Sequence, residues 1–201
     1  MSAAPQSEQF ESSVLYGDVM ARAASYSRER VAEAAIRRLD LRRNDHVLEL
    51  GCGSGHLLGR VAVRMPGGFA TGIDPSPLMV RHARLRNRRL IERGRAEIDV
   101  GASSDLSRFA AGRFQKVYGL HVVYFWEEPQ RDLDEIRRVL APDGRLLLGF
   151  CPSTAAPTPR DRARCAVANV EHWLEEAGFG SIEGGVEWHG ERPLAWIAAH
   201  A

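Results

Sequence analysis

Apolar positions along this chain follow two alternating rhythms, and the alternation predicts its elements. Behind a polar, flexible lead over residues 1–13, Val14–Ala24 reads as a helix. Ser27–Leu39 reads as a second one, opened by Ser27 as N-cap, with Val31, Ala34, Ala35 and Leu39 on one face. His46–Leu50 is a short apolar run of strand length, Gly55–Arg64 returns to helical spacing, and Phe69–Ile73 is again a strand. Ser76–Ile91 is predicted as one helix, with Ser76 as N-cap and Pro77 at its first position. Ala96–Val100 is a strand, Ser104–Phe109 at most a short helix, and Gln115–His121 a strand. Pro129–Leu140 is a helix turning Leu133, Ile136, Val139 and Leu140 inward. Ala141-Pro-Asp-Gly144 is a turn, and Arg145–Phe150 a strand.

Strands that alternate with helices predict an α/β domain, a mostly parallel sheet covered on both faces. The end of the chain breaks the rule. After a loop with Pro152, Pro157 and Pro159 comes a helix near Val167–Ala177, with Gly178 just past its end. Ser181–Trp188 and Leu194–Ala199 are then strands joined by a connection far too short for a parallel crossover, so they form an antiparallel hairpin. There is no internal repeat. The 201 residues suit one domain, a helical cap over residues 1–40 on a core over residues 41–201.

Composition changes this picture little. With 44% apolar and 26% charged residues the chain is ordinary for a soluble globular protein, and a net charge of +1 exerts no global pull on nucleic acid or anionic membrane. No apolar run is long enough to span a bilayer, and the first residues lack the pattern of a signal peptide. Cys52, Cys151 and Cys165 are scattered, which argues against a disulfide framework or a metal site and fits a reducing, cytoplasmic setting. The state of assembly, monomer or homodimer, stays open.

The candidate chemistry begins at Val47-Leu-Glu-Leu-Gly-Cys-Gly-Ser-Gly55, a strand running through glycines into a helix. Such a turn lets a ligand approach the backbone and presents N–H groups to it. Asp74, about 20 residues on at the end of the second strand, is placed to accept from both hydroxyls of a ribose. A nucleoside-type cofactor follows, but not a dinucleotide. The third glycine of the dinucleotide fingerprint is His56 here, and Glu49 would repel a pyrophosphate while suiting an amine or a sulfonium.

Three segments, 47–55, Gly72-Ile-Asp-Pro-Ser76 and Glu135-Ile-Arg-Arg-Val-Leu-Ala-Pro-Asp-Gly-Arg-Leu146, resemble the ordered motifs of class I S-adenosylmethionine-dependent methyltransferases. The likeness covers residues 30–150 and is nearest the small-molecule branch that resembles the ubiquinone/menaquinone-biosynthesis methyltransferases. It implies a Rossmann-like, doubly wound, seven-stranded sheet of order 3-2-1-4-5-7-6 with the last strand antiparallel. It also implies roles. S-adenosylmethionine is the cofactor and S-adenosylhomocysteine the product. Glu49 and Gly51 would serve the methionine end, Gly53 would let the cofactor lie close, Asp74 would bind the ribose, and Cys52 would also contact the cofactor. Pro75 would pack on the adenine, residues 101–103 would meet its edge, and Leu120 would border the site. One departure stands out. Relatives carry Gly-Asp-Ala after the third strand, where this chain has Gly101-Ala-Ser-Ser104, so Ser103 or backbone groups beside Ala102 must replace the acid. Phe114-Gln115 likewise stands where relatives read Phe-Asp.

Methyl transfer from a sulfonium depends mainly on alignment, and a base is needed only where the acceptor must lose a proton. His121, at the carboxyl end of the fourth strand, is a candidate base or a structural histidine. Tyr124 and Trp126 can wall a planar acceptor or pack a helix on the sheet; Tyr16 and Tyr26 can line the acceptor pocket or the core. Between residues 81 and 95 lie seven arginines, which form either a solvated face paired with acids or an RNA-contact face. The expected reaction is methylation of a small molecule. The alternatives are a non-catalytic cofactor-binding partner, an RNA methyltransferase and, against His56, a nicotinamide oxidoreductase.

Overall fold

In the computed structural model, which describes residues 28–152, 166–189 and 192–201, the two rhythms become the strands of one sheet and the helices packed on both of its faces. The elements run α1 (Arg28–Leu39), β1 (His46–Leu50), α2 (His56–Arg64), β2 (Phe69–Asp74), α3 (Pro77–Arg86), α4 (Arg88–Glu92), β3 (Ala96–Val100) and β4 (Phe114–Leu120). A 3₁₀ turn at Val123–Phe125 follows, then α5 (Pro129–Val139), β5 (Leu140–Phe150), α6 (Val167–Glu176), β6 (Gly180–His189) and β7 (Arg192–His200). The seven strands lie in the order β3-β2-β1-β4-β5-β7-β6. β7 runs antiparallel to both of its neighbours, and the other described pairs are parallel. Both the order and the antiparallel hairpin are those expected from the sequence.

Successive residues of a strand face opposite sides, and in a parallel sheet both sides are buried. Leu48, Leu50, Val117, Leu146 and Leu148 join Leu133 and Ile136 of α5 and Val170 and Leu174 of α6 in one core. Val47, Tyr118, Leu147 and Trp196 join α1, α2 and α3 in the other. Glu49 lies in this second layer, a carboxyl among apolar neighbours. No helix among the described residues is long and apolar enough to cross a membrane.

Three local expectations are corrected. The helix expected over Ser76–Ile91 is two helices, because the buried Asn87 turns its side-chain Nδ2 onto the carbonyls of Gly55 and Ala83, both at 2.9 Å, and its backbone leaves the helix there. A short polar side chain that bonds backbone groups competes with the helix in this way. Ser76 caps the first of the two as expected, accepting from the Met79 N–H. Ser104–Phe109, expected to be at most a short helix, forms turns, with the Leu106 N–H held by Glu135 Oε2 at 2.8 Å. β4 ends at Leu120, since His121 turns to φ +60. Finally, Ala141–Gly144 is looped out inside β5: Leu140 pairs with Phe114 and Arg145 with Lys116, so the Pro-Asp-Gly chemistry makes a bulge within one strand. The expected helix Val14–Ala24, with Tyr16, Tyr26 and the Ser27 cap, lies outside the described residues, as does the segment 153–165 with Cys165.

Candidate functional site

The turn after β1 is built around a carboxylate. Gly51, Gly53 and Gly55 have φ of +59, +51 and +71. The Gly53 N–H donates to Asp74 Oδ2 at 2.7 Å, and the Ser76 N–H donates to Oδ1 at 2.9 Å. Asp74 thus clamps the glycine turn to the start of α3, while the Cys52 N–H donates to the Ile73 carbonyl at 2.9 Å. The glycines are needed for different reasons. A Cβ on Gly51 would meet Val122 Cγ1 at 2.7 Å, whereas one on Gly53 would have nothing within 4 Å. The face of Gly53 beside Asp74 is therefore open, as a ligand cradle requires. Pro75 lies half-buried next to it.

Beneath the turn, Glu49 is buried and accepts from the Tyr118 hydroxyl at 3.3 Å. Burial lifts its carboxyl well above the ordinary range, and the nearby Asp74 adds to the rise, against the hydrogen bond from Tyr118. The buried Cys52 thiol is also pushed up, by burial and then by the charges of Glu49 and Asp74, so it is not a nucleophile. Tyr118 carried no sequence signal; only the pairing of Glu49 with Tyr118 across β1 and β4 brings the two together.

The loop after β3 is continuous with the turn, since the Gly101 N–H donates to the Asp74 main-chain carbonyl at 3.2 Å. Ala102 has no polar group to offer from its side chain. The Ser103 Oγ accepts from the Trp126 indole N–H at 3.0 Å and donates to Asp132 Oδ1. Burial raises the Asp132 carboxyl from its usual value to about 6, against the bond from Ser103 and the charge of Arg131. Asp132 went unnoticed in the sequence although its spacing is informative: it shares the inward stripe of α5 with Ile136 and Val139.

His121 stands beyond β4, bordered by Leu120, with its N–H on the Gly149 carbonyl at 2.7 Å. Its ring lies parallel to Tyr124, and Nδ1 is 3.4 Å from the Tyr124 hydroxyl and 3.9 Å from Cys151 Sγ. Burial pushes its imidazole down to about 4, so it is neutral at neutral pH. Tyr124 and Trp126 are both buried in the core, the first with its hydroxyl on the Cys151 backbone and the second on Ser103. Packing is thus the role seen for both rings.

The arginine run divides. Arg84 pairs with Asp99, Arg86 donates to the Ser54 carbonyl, and Arg95 caps carbonyls around the end of α2. Arg81, Arg88, Arg89 and Arg93 are exposed and make no hydrogen bond or ion pair among the described residues. A cleft of about 370 Å³ opens between α2 and the break at Asn87, lined by Arg60, Arg64 and Arg86 among others. Gly55 lines it; Gly53 and Asp74 do not.

The family model described as "Methyltransferase domain" matches residues 48–148, half of the chain, and the chain belongs to that family. It is 33% identical over 116 residues to YrhH of Bacillus subtilis, provisionally named a methyltransferase, with 58% of this chain and 63% of that one covered. It is 28% identical over 152 residues to a tRNA U34 carboxymethyltransferase of Histophilus somni, with 70% of this chain and 46% of the other covered. The chain spans less than two thirds of the length of these curated relatives. Among solved structures, a SAM-dependent methyltransferase from Aquifex aeolicus superposes with a TM-score of 0.70 at 19% identity, covering 90% of this chain and 97% of that one, a likeness of fold.

Proposed function

From membership in the methyltransferase-domain family, we propose that this protein is an enzyme that transfers a methyl group from S-adenosylmethionine to a small-molecule acceptor. The observation that carries this reading is the open face of Gly53 beside the Asp74 carboxylate. The Asp74 oxygens accept from the Gly53 and Ser76 N–H groups, which fixes the carboxylate beside the open face of Gly53, and a carboxylate is the acceptor that ribose hydroxyls require. Glu49, Gly51 and Cys52 lie at the methionine end of this site, Pro75 at the adenine, Ala102 and Ser103 at its edge, and Leu120 at its border. Glu49 is raised toward its neutral form and gives up its proton to meet an ammonium, which suits an amine-bearing cofactor and not a pyrophosphate. When bound, the cofactor supplies a methyl carbon made electrophilic by its sulfonium. His121 is neutral there and able to accept a proton, and a part for Tyr16 in lining the acceptor pocket belongs to the same reading, while Tyr124 and Trp126 serve it from the core, behind His121 and Ser103. The branch that resembles the ubiquinone/menaquinone-biosynthesis methyltransferases and a cytoplasmic site of action belong to the same reading. Isothermal titration with S-adenosylhomocysteine tests it: micromolar binding is expected, and no heat at millimolar ligand would end it.

A second reading has its own support. Arg81, Arg88, Arg89 and Arg93 are exposed, with no partner among the described residues, and relatives include tRNA carboxymethyltransferases. An RNA acceptor would track phosphates along this face. Salt-sensitive RNA binding, lost on reversing the charge of Arg88 and Arg89, would favour it over a small molecule.

A further inference from the structure

The loop after β3 has lost the acid that the resemblance leads one to expect at position 102, yet a buried carboxyl reaches the same loop from another element. Ser103 has one O–H to give and two lone pairs. The Trp126 indole can only donate, and it takes one lone pair at 3.0 Å; the Ser103 O–H then goes to Asp132. The chain of bonds therefore runs from Trp126 through Ser103 to Asp132. α5 holds the loop at two further points, Arg131 Nε on the Ser104 carbonyl at 3.2 Å and Glu135 Oε2 on the Leu106 N–H at 2.8 Å. The loop's other end is fastened to Asp74, whose carboxylate holds Gly53. Apolar packing would be better served by a leucine at this place on the inward stripe of α5, beside Ile136 and Val139, and burying a carboxyl there costs free energy. What the carboxyl provides instead is a fixed position for Ser103.

We propose that Asp132 is a positioning residue: acting through Ser103, it holds the loop 101–104 in the shape that reads the base of the cofactor, the task left vacant by alanine at position 102. The inference rests on the cofactor reading above. Asp132 touches neither cofactor nor acceptor, and its effect is on the discrimination of the base.

The test uses the full chain and isothermal titration with two probes, S-adenosylhomocysteine and its 6-oxo counterpart S-inosylhomocysteine. The natural chain is expected to prefer the adenosyl compound at least tenfold. In Ser103→Ala and Asp132→Ala, affinity for the adenosyl compound falls about tenfold, the scale of one hydrogen bond, while the inosyl compound is little affected, so the preference collapses. Asp132→Asn keeps an acceptor for Ser103 and recovers affinity to within about threefold. A merely structural carboxyl would lower the melting temperature and weaken both probes alike, and that result overturns the inference. If Asp132→Ala does not fold, Ser103→Ala, which removes one oxygen, decides. A natural chain that binds both probes equally overturns this inference alone; one that binds neither overturns the cofactor reading and this inference with it.

Discussion

Asp74 accepts a hydrogen bond from the Gly53 N–H at 2.7 Å, joining the end of β2 to the apex of the turn after β1. Its other oxygen holds the Ser76 N–H, so one side chain sets both the turn and the start of α3. A carboxylate that accepts backbone N–H groups on both oxygens is spent on architecture before any ligand arrives. Its worth to the fold and its worth to a cofactor are therefore separable only by choosing the substitution well.

Asp74→Asn leaves one carbonyl oxygen for two N–H donors, and its NH₂ group must face one of them. A loss of about 1–3 kcal/mol in stability is expected, with at least a tenfold loss of S-adenosylhomocysteine affinity. Urea unfolding alongside titration reads both.

Gly53→Ala and Gly51→Ala should part company. Both positions have positive φ, so each alanine costs about 1 kcal/mol of backbone strain. At Gly51 the methyl also runs into Val122, which adds a packing cost, while at Gly53 it enters open space. Thermal melts should show Gly51→Ala as the less stable chain. Titration should show Gly53→Ala as the weaker binder relative to its stability.

Glu49 favours its neutral form in the free protein because it is buried, and a bound ammonium favours the ionised form. Cofactor binding should then release a proton, and affinity should rise with pH above the ordinary carboxylate range. Titrations in buffers of different ionisation enthalpy measure the release, and Glu49→Gln should abolish it. A release unchanged in that variant would remove Glu49 from the methionine end.

Burial holds the Asp132 carboxyl up at about 6, against the Ser103 hydrogen bond and the charge of Arg131, with Glu128 adding a little to the rise. A folded value above the unfolded one favours the protonated native state. Its contribution is full below about pH 4 and is lost as pH rises through 6, up to about 3 kcal/mol in all. Asp132→Asn should flatten the pH dependence of the melting temperature in that window.

His121, held down to about 4 by burial, stays neutral across the working range. The pH profile of kcat/KM should carry no limb from it between about pH 5 and 8. His121→Asn, which tolerates the positive φ, should keep the fold. If the imidazole is the base, activity falls at least a hundredfold; if its role is to hold Tyr124 and Cys151, the loss is small and stability falls instead.

Much of this was legible in the residues. Period and turn chemistry placed β1, α2, β3, α5 and the closing hairpin, because both faces of a parallel sheet must be apolar and a short connection cannot cross over. The glycine turn and Asp74 could be read together because their spacing fits one strand–helix–strand unit. Asn87 escaped notice, since its bond to Gly55 spans two helices, and so did Asp132, a polar residue on an apolar stripe whose partner lies in a distant loop.

The sequence alone determined the alternation of strands and helices, the closing hairpin and the glycine turn, all consequences of local pattern, while the order of the strands followed from the resemblance that its motifs carry. Only the tertiary structure decided what each polar group faces: Glu49 beneath Tyr118, Trp126 turned inward onto Ser103, and four arginines out in solvent while three hold backbone. The physical reason is that burial and hydrogen-bond direction depend on neighbours that pattern does not encode. A carboxyl has one chemistry in water and another between an indole-bound serine and a packed helix.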